Sequence, residues 1–483
     1  MAYQTPGVYV EEIALLPPSV AEVETAIPAF IGYTETAIKN GADITNQPLK
    51  ISSLHDYEAY FGKLPAATDL AEISVTETSV PDPADATKKK HVGYAVEVKK
   101  VAANLPKNIL YYAMQIFFDN GGGECYIVSI GKADGKTVKF EDFTKGLDVI
   151  RNFDEPTLLV APEAVYLDKY ETFYQAMIKQ ASELKDRFVI VDTQEPKSPQ
   201  DINADQTAFR AFSFGIKEEV SYSAAYYPWL NSSFNYLYKA DDIKITSGKI
   251  IDVANAANEI DLKDKTVGFL KTDYDELYQL LNAELSKKLT VTLPPSSAVA
   301  GAYAFVDNTR GVWKAPANVV LKSVISPTVQ ISLEQQRALN VDPTGGRSIN
   351  AIRFIPGSGI TIWGARTMNG NDREWRFVNV RRFFNMVEES VQKATSWAVF
   401  EPNTKNTWVK VKGMIESYLL SKWIEGALAG TKPEEAFFVK VGLPETMSAD
   451  EVLDGIMRVK IGLAVSRPAE FIILQFTHIK QSS

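Results

Sequence analysis

The stretch NILYYAMQIFFDNGGGECYIVSI (residues 108–130) sets the fold class of this 483-residue chain. Apolar residues recur at helical spacing from Asn108 to Asp119, and the strand Cys125–Ile130 follows a turn of three glycines. The alternation continues through a predicted helix, strand, helix and strand over Glu141–Phe153, Thr157–Ala161, Lys169–Leu184 and Arg187–Asp192. This order predicts a mostly parallel sheet that is covered by helices on both faces.

Two stretches interrupt this alternation, residues 64–104 and 231–292. The first is rich in Ala, Thr, Pro and Asp, which predicts an exposed loop or hairpin with Lys88–Lys90 at its solvated tip. The second contains short β-like pieces before an amphipathic helix over Asp275–Lys288. We interpret both stretches as insertions on the sheet domain.

The C-terminal part contains a dense aromatic and arginine block. It runs from Ile362 to Asn403 and includes WGARTM (363–368), EWRFVNVRRFF (374–384) and ATSWAVFEPN (394–403). This span holds three of the seven tryptophans and five arginines. Trp and Arg anchor large desolvated interfaces, so the block indicates assembly. A last α+β domain is predicted to begin near Gly345. Its long helices are expected over Phe377–Trp397 and Val411–Leu428, with Trp363, Trp375 and Trp397 in its core.

Composition argues against several functional classes. The net charge of −9 and pI of about 5.2 do not suit a nucleic-acid binder. The three histidines are scattered, and no zinc-ligand spacing, phosphate loop or GxSxG motif occurs in the sequence. We therefore expect no enzymatic activity, cofactor or metal. The single cysteine, Cys125, excludes an internal disulfide and is predicted to be buried and inert.

The positive charge is concentrated near the C-terminus. Residues 345–483 hold 18 Lys or Arg and 14 Asp or Glu, whereas the remainder holds 33 and 46. This bias indicates either an acidic partner for the C-terminal part or scattered solvated charge. The N-terminus has no secretory signal pattern, and no apolar stretch approaches the ~20 residues of a membrane-spanning helix. We expect cytoplasmic synthesis and no direct membrane insertion.

Seven motifs in order resemble those of contractile tail sheath proteins, which occur in contractile-tailed phages, R-type bacteriocins and extracellular contractile injection systems. Three of them are WGARTM, EWRFVNVRRFF and FEPN of the block. The other four are PGVYVEEI (6–13), NGGGECYIVSI (120–130), the pair AYYPWL (225–230) with LPPSSAVAGAYAFVDNTRGVWKAPAN (293–318), counted as one, and PAEFIILQF (468–476). The resemblance implies an α/β and α+β multidomain chain. An N-terminal arm (1–20) is followed by a subtilisin-like α/β region with the two insertions (21–344). An α+β inner sheath domain (345–467) and a C-terminal β-arm (468–483) complete the chain.

The resemblance also implies the function. The chain is expected to be a structural subunit that polymerises helically around an inner tube and contracts to drive the tube through a target envelope. An extracellular contractile injection system is the first expectation, and a phage tail or an R-type bacteriocin is the alternative. The implied partners are further copies in stacked hexameric rings, the tube, and the baseplate and terminal cap proteins. Assembly is expected in the bacterial cytoplasm, and action in a released particle or virion.

A degenerate subtilisin-like hydrolase is the distant alternative. Asp192 ends a predicted buried strand, as a triad Asp does. No histidine follows it before His478, which lies in what should be another domain, so this order gives no Asp–His–Ser relay.

Both termini carry β-type residues with strand alternation. The predicted inter-subunit arm residues are Val8, Tyr9, Val10, Phe471, Ile473, Leu474 and Phe476. From the residues alone, these arms pair either within their own subunit or with neighbours. The resemblance implies the second, since sheath arms add strands to the sheets of neighbouring subunits.

Basic residues of the C-terminal part are the candidate contacts to an acidic inner tube. They are Arg381, Arg382, Lys410, Lys412 and Lys422. For Arg381 and Arg382 an alternative remains open, because both arginines lie at a helix start and internal carboxylates such as Glu374 or Glu401 are possible partners.

Overall fold

The computed structural model describes residues 20–196, 202–471 and 473. The chain divides into two compact units. The larger unit comprises residues 24–382, and the described part of the smaller unit comprises residues 20–23 and those from Phe383 onward. Each unit is described by itself.

Twenty strands are described. They are β1 (Pro28–Thr34), β2 (Ile38–Lys39), β3 (Ala42–Asp43), β4 (Leu49–Ile51), β5 (Ala71–Asp82), β6 (Asp85–Lys100), β7 (Cys125–Lys132), β8 (Leu158–Val160), β9 (Phe188–Asp192), β10 (Ser223–Tyr227), β11 (Leu230–Asn235), β12 (Ser247–Ile251), β13 (Glu259–Asp261), β14 (Thr290–Leu293), β15 (Val319–Val320), β16 (Val324–Pro327), β17 (Ile349–Ile355), β18 (Gly359–Ile362), β19 (Phe437–Val441) and β20 (Val459–Leu463).

Thirteen α-helices are described. They are α1 (Leu54–Phe61), α2 (Leu110–Asp119), α3 (Phe140–Ile150), α4 (Tyr170–Leu184), α5 (Ile202–Ala211), α6 (Lys217–Val220), α7 (Asp275–Lys288), α8 (Ser296–Arg310), α9 (Leu333–Asn340), α10 (Val378–Ala394), α11 (Lys405–Ile424), α12 (Pro433–Ala436) and α13 (Ala449–Leu453).

The larger unit is built on a nine-stranded sheet with the order β15-β18-β17-β10-β9-β8-β1-β7-β4. The six strands from β17 to β7 are all parallel, and the outer strands are antiparallel. Strands β1, β8, β9 and β10 are buried at every residue, which requires cover on both faces of the sheet. The predicted mostly parallel sheet is confirmed.

The helices beside this sheet pack closely. α2 and α8 contact each other, and Gly301 of α8 permits this because an added Cβ would lie 2.5 Å from the carbonyl oxygen of Phe117. The predicted helices and strands between residues 108 and 192 are all present, with ends that shift by up to three residues. Cys125 is fully buried, and burial raises the pKa of its thiol, as an inert cysteine requires.

The two predicted insertions contribute to one sheet. β5 and β6 form a long antiparallel hairpin from the first insertion, and β12 from the second pairs in parallel with β5, giving the order β13-β12-β5-β6. The helix predicted over Asp275–Lys288 has those bounds in the structure and contacts β6. The prediction for Lys88–Lys90 needs correction: these exposed lysines lie within β6 because the turn is at residues 83–84.

The division between the units differs from the predicted domain start at Gly345. Ile349 of β17 pairs with Ala225 of β10, so main-chain hydrogen bonding places β17 and β18 in the nine-stranded sheet. The expectation that three tryptophans form the core of a C-terminal domain is also wrong. Trp363 belongs to the larger unit and is 38% exposed, and Trp375 belongs to it as well.

The smaller unit contains helical and strand elements from Phe383 onward. These are the rest of α10, followed by α11, α12, β19, α13 and β20. Most predicted arm residues, namely Val8, Tyr9, Val10, Leu474 and Phe476, lie outside the described residues. Phe471 and Ile473 are described, are largely exposed and belong to no strand. No described helix combines the length and the apolarity needed to cross a membrane.

Candidate functional site

The smaller unit contains an apolar groove of about 880 Å³. One wall is α10, which contributes an apolar stripe of Phe384, Val387 and Val391 at helical spacing. Another wall is β20, from which Val459 and Ile461 project at strand alternation. Sixteen of its 18 lining residues carry no charge, and both charged ones are glutamates. The groove therefore suits an apolar or strand-forming segment.

The strand that lines this groove belongs to a sheet of only two strands. β19 and β20 pair antiparallel from Phe437↔Leu463 to Val441↔Val459. Within the described part of the chain, no further strand pairs with either of them. Unpaired edges present main-chain donors and acceptors to any strand that approaches, and natural proteins usually suppress such edges. This sheet therefore offers two positions for added strands.

Apolar side chains are unusually exposed in the smaller unit. It holds 11 of the 24 exposed large hydrophobic residues, although it contributes only about one fifth of the described chain. Phe400, at the rim of the groove, is fully exposed and has a φ of 68°, which is uncommon for a non-glycine residue. Exposed apolar patches of this kind mark interaction surfaces.

Helix α11 has apolar residues on two faces. Met414 and Leu419 are among the residues it buries, whereas Val409 and Ile424 are 60% and 72% exposed. Lys410 is also exposed, and Lys412 is partly exposed in a 3.7 Å ion pair with Glu416. A helix that packs by one face and leaves apolar residues on another has a surface available for a partner.

Lys422 differs from the other lysines of α11. Its side chain is 7% exposed and forms ion pairs with Glu22 and with Glu425, the latter at 2.7 Å. Burial lowers the pKa of the ammonium, and the hydrogen bonds to the two glutamates more than offset this, so its pKa is raised. Both glutamates belong to the same unit as Lys422, so the ammonium group is paired within that unit. Lys422 is therefore removed from the candidates for contact with the tube. The ion pair also holds the described start of the chain against α11.

Arg381 and Arg382 are buried within the larger unit, each 4% exposed. Arg382 pairs with Asp307 (Nη1–Oδ1 3.0 Å), and the guanidinium of Arg381 lies 4.1 Å from the Trp375 ring centroid. Interior side chains are not accessible to a tube, so the prediction of tube contact is corrected for both. Internal pairing was the open alternative, but the partner of Arg382 is Asp307 rather than Glu374 or Glu401.

Buried arginines account for part of the positive charge bias of residues 345–483. Residues 383–483 alone hold 11 Lys or Arg and 12 Asp or Glu, so the excess of positive charge comes from the arginines of residues 345–382. Arg366, Arg381 and Arg382 of that segment are buried. Part of the basic character of the C-terminal part is therefore internal, and Lys410 and Lys412 remain as accessible candidates.

Asp192 is hydrogen-bonded to the backbone at the start of α8. It is fully buried, and its Oδ1 accepts a hydrogen bond from the backbone N–H of Ser296 (2.7 Å), at the first turn of α8. Burial raises the pKa of the carboxyl group to about 7. His91 lies against Glu77 and Glu276 instead, His55 is exposed, and His478 lies outside the described residues.

Comparison with solved structures decides the family. The chain is 31% identical to the sheath protein in the structure of an extracellular contractile injection system, the PVC sheath complex in its contracted state, with a TM-score of 0.63. That match covers 99% of this chain and 98% of the other. The chain belongs to the contractile sheath protein family. A second sheath protein, from the helical sheath of the anti-feeding prophage in its contracted state, is 30% identical, with a TM-score of 0.60 over 99% of both chains.

Phage sheath proteins match this sheath protein over a shorter range. Residues 371–479 match the phage tail sheath C-terminal domain family. The tail sheath proteins of Vibrio phage KVP40 and Enterobacteria phage T4 are 26% and 24% identical over 127 residues. Those matches span 26% of this chain and only 19% of the length of either phage protein.

Sequence reasoning missed the groove of this sheath protein and its exposed rim. The stripe of α10 and the phenylalanine of ATSWAVFEPN are both visible in the sequence. The exposure of Phe400 is not visible there, because a Val-Phe pair near a tryptophan is equally typical of a core. The positive φ of Phe400 marks it as unlike a core phenylalanine, and this angle is known only from the structure.

Proposed function

We propose that this chain polymerises helically around an inner tube as the sheath of an extracellular contractile injection system, and that its contraction drives the tube through a target envelope. The observation that carries this proposal is the similarity to the PVC and anti-feeding prophage sheaths over nearly the whole of each chain. The phage proteins match over only 127 residues, which favours an injection system over a phage tail. Capsid genes beside the gene for this chain would instead favour a phage tail.

The polymer forms through strand addition between copies. The occupants of the groove and of the open β19–β20 edges are the terminal arms of neighbouring copies, residues 6–13 and 468–480. The two-stranded sheet of β19 and β20 has two outer edges, and each chain has two terminal arms, so each edge receives one arm. Main-chain hydrogen bonds supply affinity, and the alternating apolar side chains of each arm set its register against the groove. With four or five bonds per arm at about 0.5–1.5 kcal/mol each, repetition along the polymer gives a stable mesh.

Head-to-tail contact explains why the polymer is a helix of stacked rings. An arm that leaves one copy and docks on the next creates a heterologous interface, which propagates unless it closes into a ring. Extended arms also let the bodies of neighbouring copies rotate while they stay connected. Such connected rotation is what contraction requires of a sheath.

Contraction proceeds downhill from a state that is set during assembly. The compact lattice is favoured if it buries more subunit surface than the extended one, so no nucleotide needs to be hydrolysed. The apolar side chains exposed on the smaller unit, such as Phe400 and Ile424, are available for this additional burial. A trigger at the baseplate then only has to release the first ring.

The larger unit acts as a scaffold with a subtilisin-like α/β fold and no catalytic role. Asp192, the residue that the sequence suggests as a triad aspartate, is buried and hydrogen-bonded to the backbone of α8. We infer that the fold has been retained for its rigid sheet, on which the two insertions form an added layer. The hydrolase alternative predicts a monomer with peptidase activity.

The inner tube is contacted by the exposed face of α11. Lys410 and Lys412 supply positive charge for an acidic tube, and Val409 supplies apolar contact area. Further partners are the baseplate and terminal cap proteins at the ends of the sheath. The sheath assembles in the bacterial cytoplasm and acts in a released particle.

Deletion of residues 1–15 tests the arm mechanism. The truncated protein should remain a folded monomer, with the circular dichroism and thermal transition of the full chain, and should form no sheath when it is mixed with tube protein. Removal of the last three residues, Gln481 to Ser483, is the matched control and should leave assembly intact. Long sheaths from the chain without residues 1–15 would show that the arm mechanism is wrong.

A further inference from the structure

A second pocket lies in the larger unit, at the C-terminal end of α8. It has a volume of about 340 Å³, and residues from α8 and from the segment 314–322 line it. Three of the lining residues are cations: Arg310, Lys314 and Lys322. No aspartate or glutamate is among its lining residues. The pocket is therefore strongly positive and, in the described chain, has no counter-charge of its own.

The three cations of this pocket lack ionic partners within the described residues. Lys314 is half-buried, and its Nζ donates only to the carbonyl of Ala315 at 3.2 Å. Burial lowers the pKa of this ammonium, and the nearby charge of Arg310 lowers it further. A half-buried cation beside a second cation is electrostatically unfavourable until an anion joins them. The geometry thus favours an acidic ligand.

An apolar rim surrounds the cations. Phe305 and Val320 line the pocket and are 47% and 46% exposed. A small inorganic anion would leave these side chains in water. A protein segment that carries both carboxylates and an apolar side chain would pair with the cations and cover the rim, as in the core of a protein interface.

One described segment has this combination. Around α13, Asp450 and Asp454 are exposed, and neither has an ion pair in the described chain. Leu453 lies between them in sequence and is 85% exposed. Glu451 is excluded from this role because it pairs with Arg458 at 2.8 Å and its carboxylate accepts the backbone N–H of Ser448. We name residues 450–454 the acidic tip.

We propose that the pocket of Arg310, Lys314 and Lys322 is a docking site for the acidic tip of a second copy of this chain. The contact joins the larger unit of one copy to the smaller unit of another and adds a charge-dependent contact to the strand exchange. It rests on the proposed function, since a polymer is what brings many copies of both surfaces together. It also predicts that sheath assembly weakens at high salt.

Charge reversal followed by charge exchange tests this contact. The Arg310→Glu/Lys322→Glu variant should need at least about tenfold more protein to assemble with tube protein, measured by sedimentation and electron microscopy. The Asp450→Lys/Asp454→Lys variant should show the same defect. A chain with all four substitutions should recover assembly, because every contact between copies again has opposite charges. Lys244→Glu/Lys263→Glu, at two exposed lysines of the second insertion, is the control with the same charge change.

The outcomes separate this proposal from the proposed function. If the wild-type chain forms no sheath with tube protein, both are overturned. If the wild type assembles and the Arg310→Glu/Lys322→Glu variant assembles equally well, only the docking site is overturned. A defect that the exchange of charges does not rescue overturns the acidic tip as the occupant.

Crosslinking gives an independent readout. The wild-type cysteine is buried, so Lys322→Cys and Asp454→Cys each introduce a single accessible thiol. A short bismaleimide should join the two variants when they are mixed and assembled, in extended or contracted sheaths. A mixture of Lys263→Cys with Asp454→Cys should give no such product. If neither sheath state yields the Lys322–Asp454 product, the docking site is wrong.

Discussion

Arg382 and Asp307 form a buried ion pair in which two guanidinium nitrogens face the two carboxylate oxygens, with Nη1 3.0 Å from Oδ1. The guanidinium also donates to the carbonyl of Thr25 (2.8 Å), and its carbon lies 4.6 Å from the centroid of the Tyr303 ring. The arginine is thus fully engaged by its own unit. This pair changes the role of Arg382 from partner contact to internal support.

Loss of either partner should therefore lower stability strongly. Asp307→Asn leaves a buried guanidinium without its counter-charge, and we expect the free energy of unfolding to fall by about 3–5 kcal/mol in chemical denaturation. Glu183→Gln is the control, because its pair with Arg151 is exposed and should contribute less than about 1 kcal/mol. Equal losses for both variants would contradict the structural role of the pair.

The mostly parallel sheet could be predicted from the sequence, whereas the pair of Arg382 and Asp307 could not. The alternation of helix and strand from Asn108 to Asp192 follows local periodicity, so it could be predicted residue by residue. Arg382 and Asp307 are 75 residues apart, and no local pattern links them. The domain boundary failed for a related reason, since β17 and β18 belong to the sheet through pairing with β10 and not through any feature of their own sequence.

A buried carboxylate predicts how stability depends on pH. Glu163 accepts three backbone N–H groups, from Tyr33, Ile109 and Leu110, and burial raises the pKa of its carboxyl group to about 7. Since this folded-state pKa exceeds the ordinary glutamate pKa of 4.5, the protonated form is favoured by folding. Its contribution to stability is complete below about pH 4.5, decreases as the pH rises and is lost above about pH 7.

Glu163→Gln isolates this contribution. The free energy of unfolding of the wild type minus that of the variant should fall by roughly 3 kcal/mol between pH 4.5 and pH 8, because the amide does not titrate. The measurement is urea denaturation of both proteins at several pH values. A difference that stays constant with pH would contradict the raised pKa of Glu163.

Substitution of Phe400 should impair assembly without lowering the stability of the chain. Asparagine tolerates the positive φ at this position better than phenylalanine, and the phenyl ring is fully exposed, so Phe400→Asn should leave the free energy of unfolding unchanged or slightly raised. The same variant should assemble poorly with tube protein, because the groove loses an apolar rim. Phe354→Asn, at a half-exposed phenylalanine of the larger unit, is the matched control and should assemble normally. Normal assembly of Phe400→Asn would exclude the rim from the interface.

The accessible lysines of α11 should affect assembly, whereas the buried Lys422 should affect stability. Lys410→Glu/Lys412→Glu should weaken tube-templated assembly while the chain remains folded, since neither side chain is buried. Lys422→Gln should instead reduce stability, because Glu22 and Glu425 lose their shared partner. Thermal melting and co-sedimentation with tube protein distinguish the two effects. Unchanged co-sedimentation of the first variant would remove Lys410 and Lys412 from the tube contact.

Strand exchange between copies is the central claim, and cryo-electron microscopy of the assembled chain with its tube tests it most directly. The account predicts striated cylinders in which β19 and β20 are flanked by two added strands, each traced to the terminal arm of a different copy. Cylinders in which these edges stay unpaired, or pair with the arms of the same copy, would contradict it.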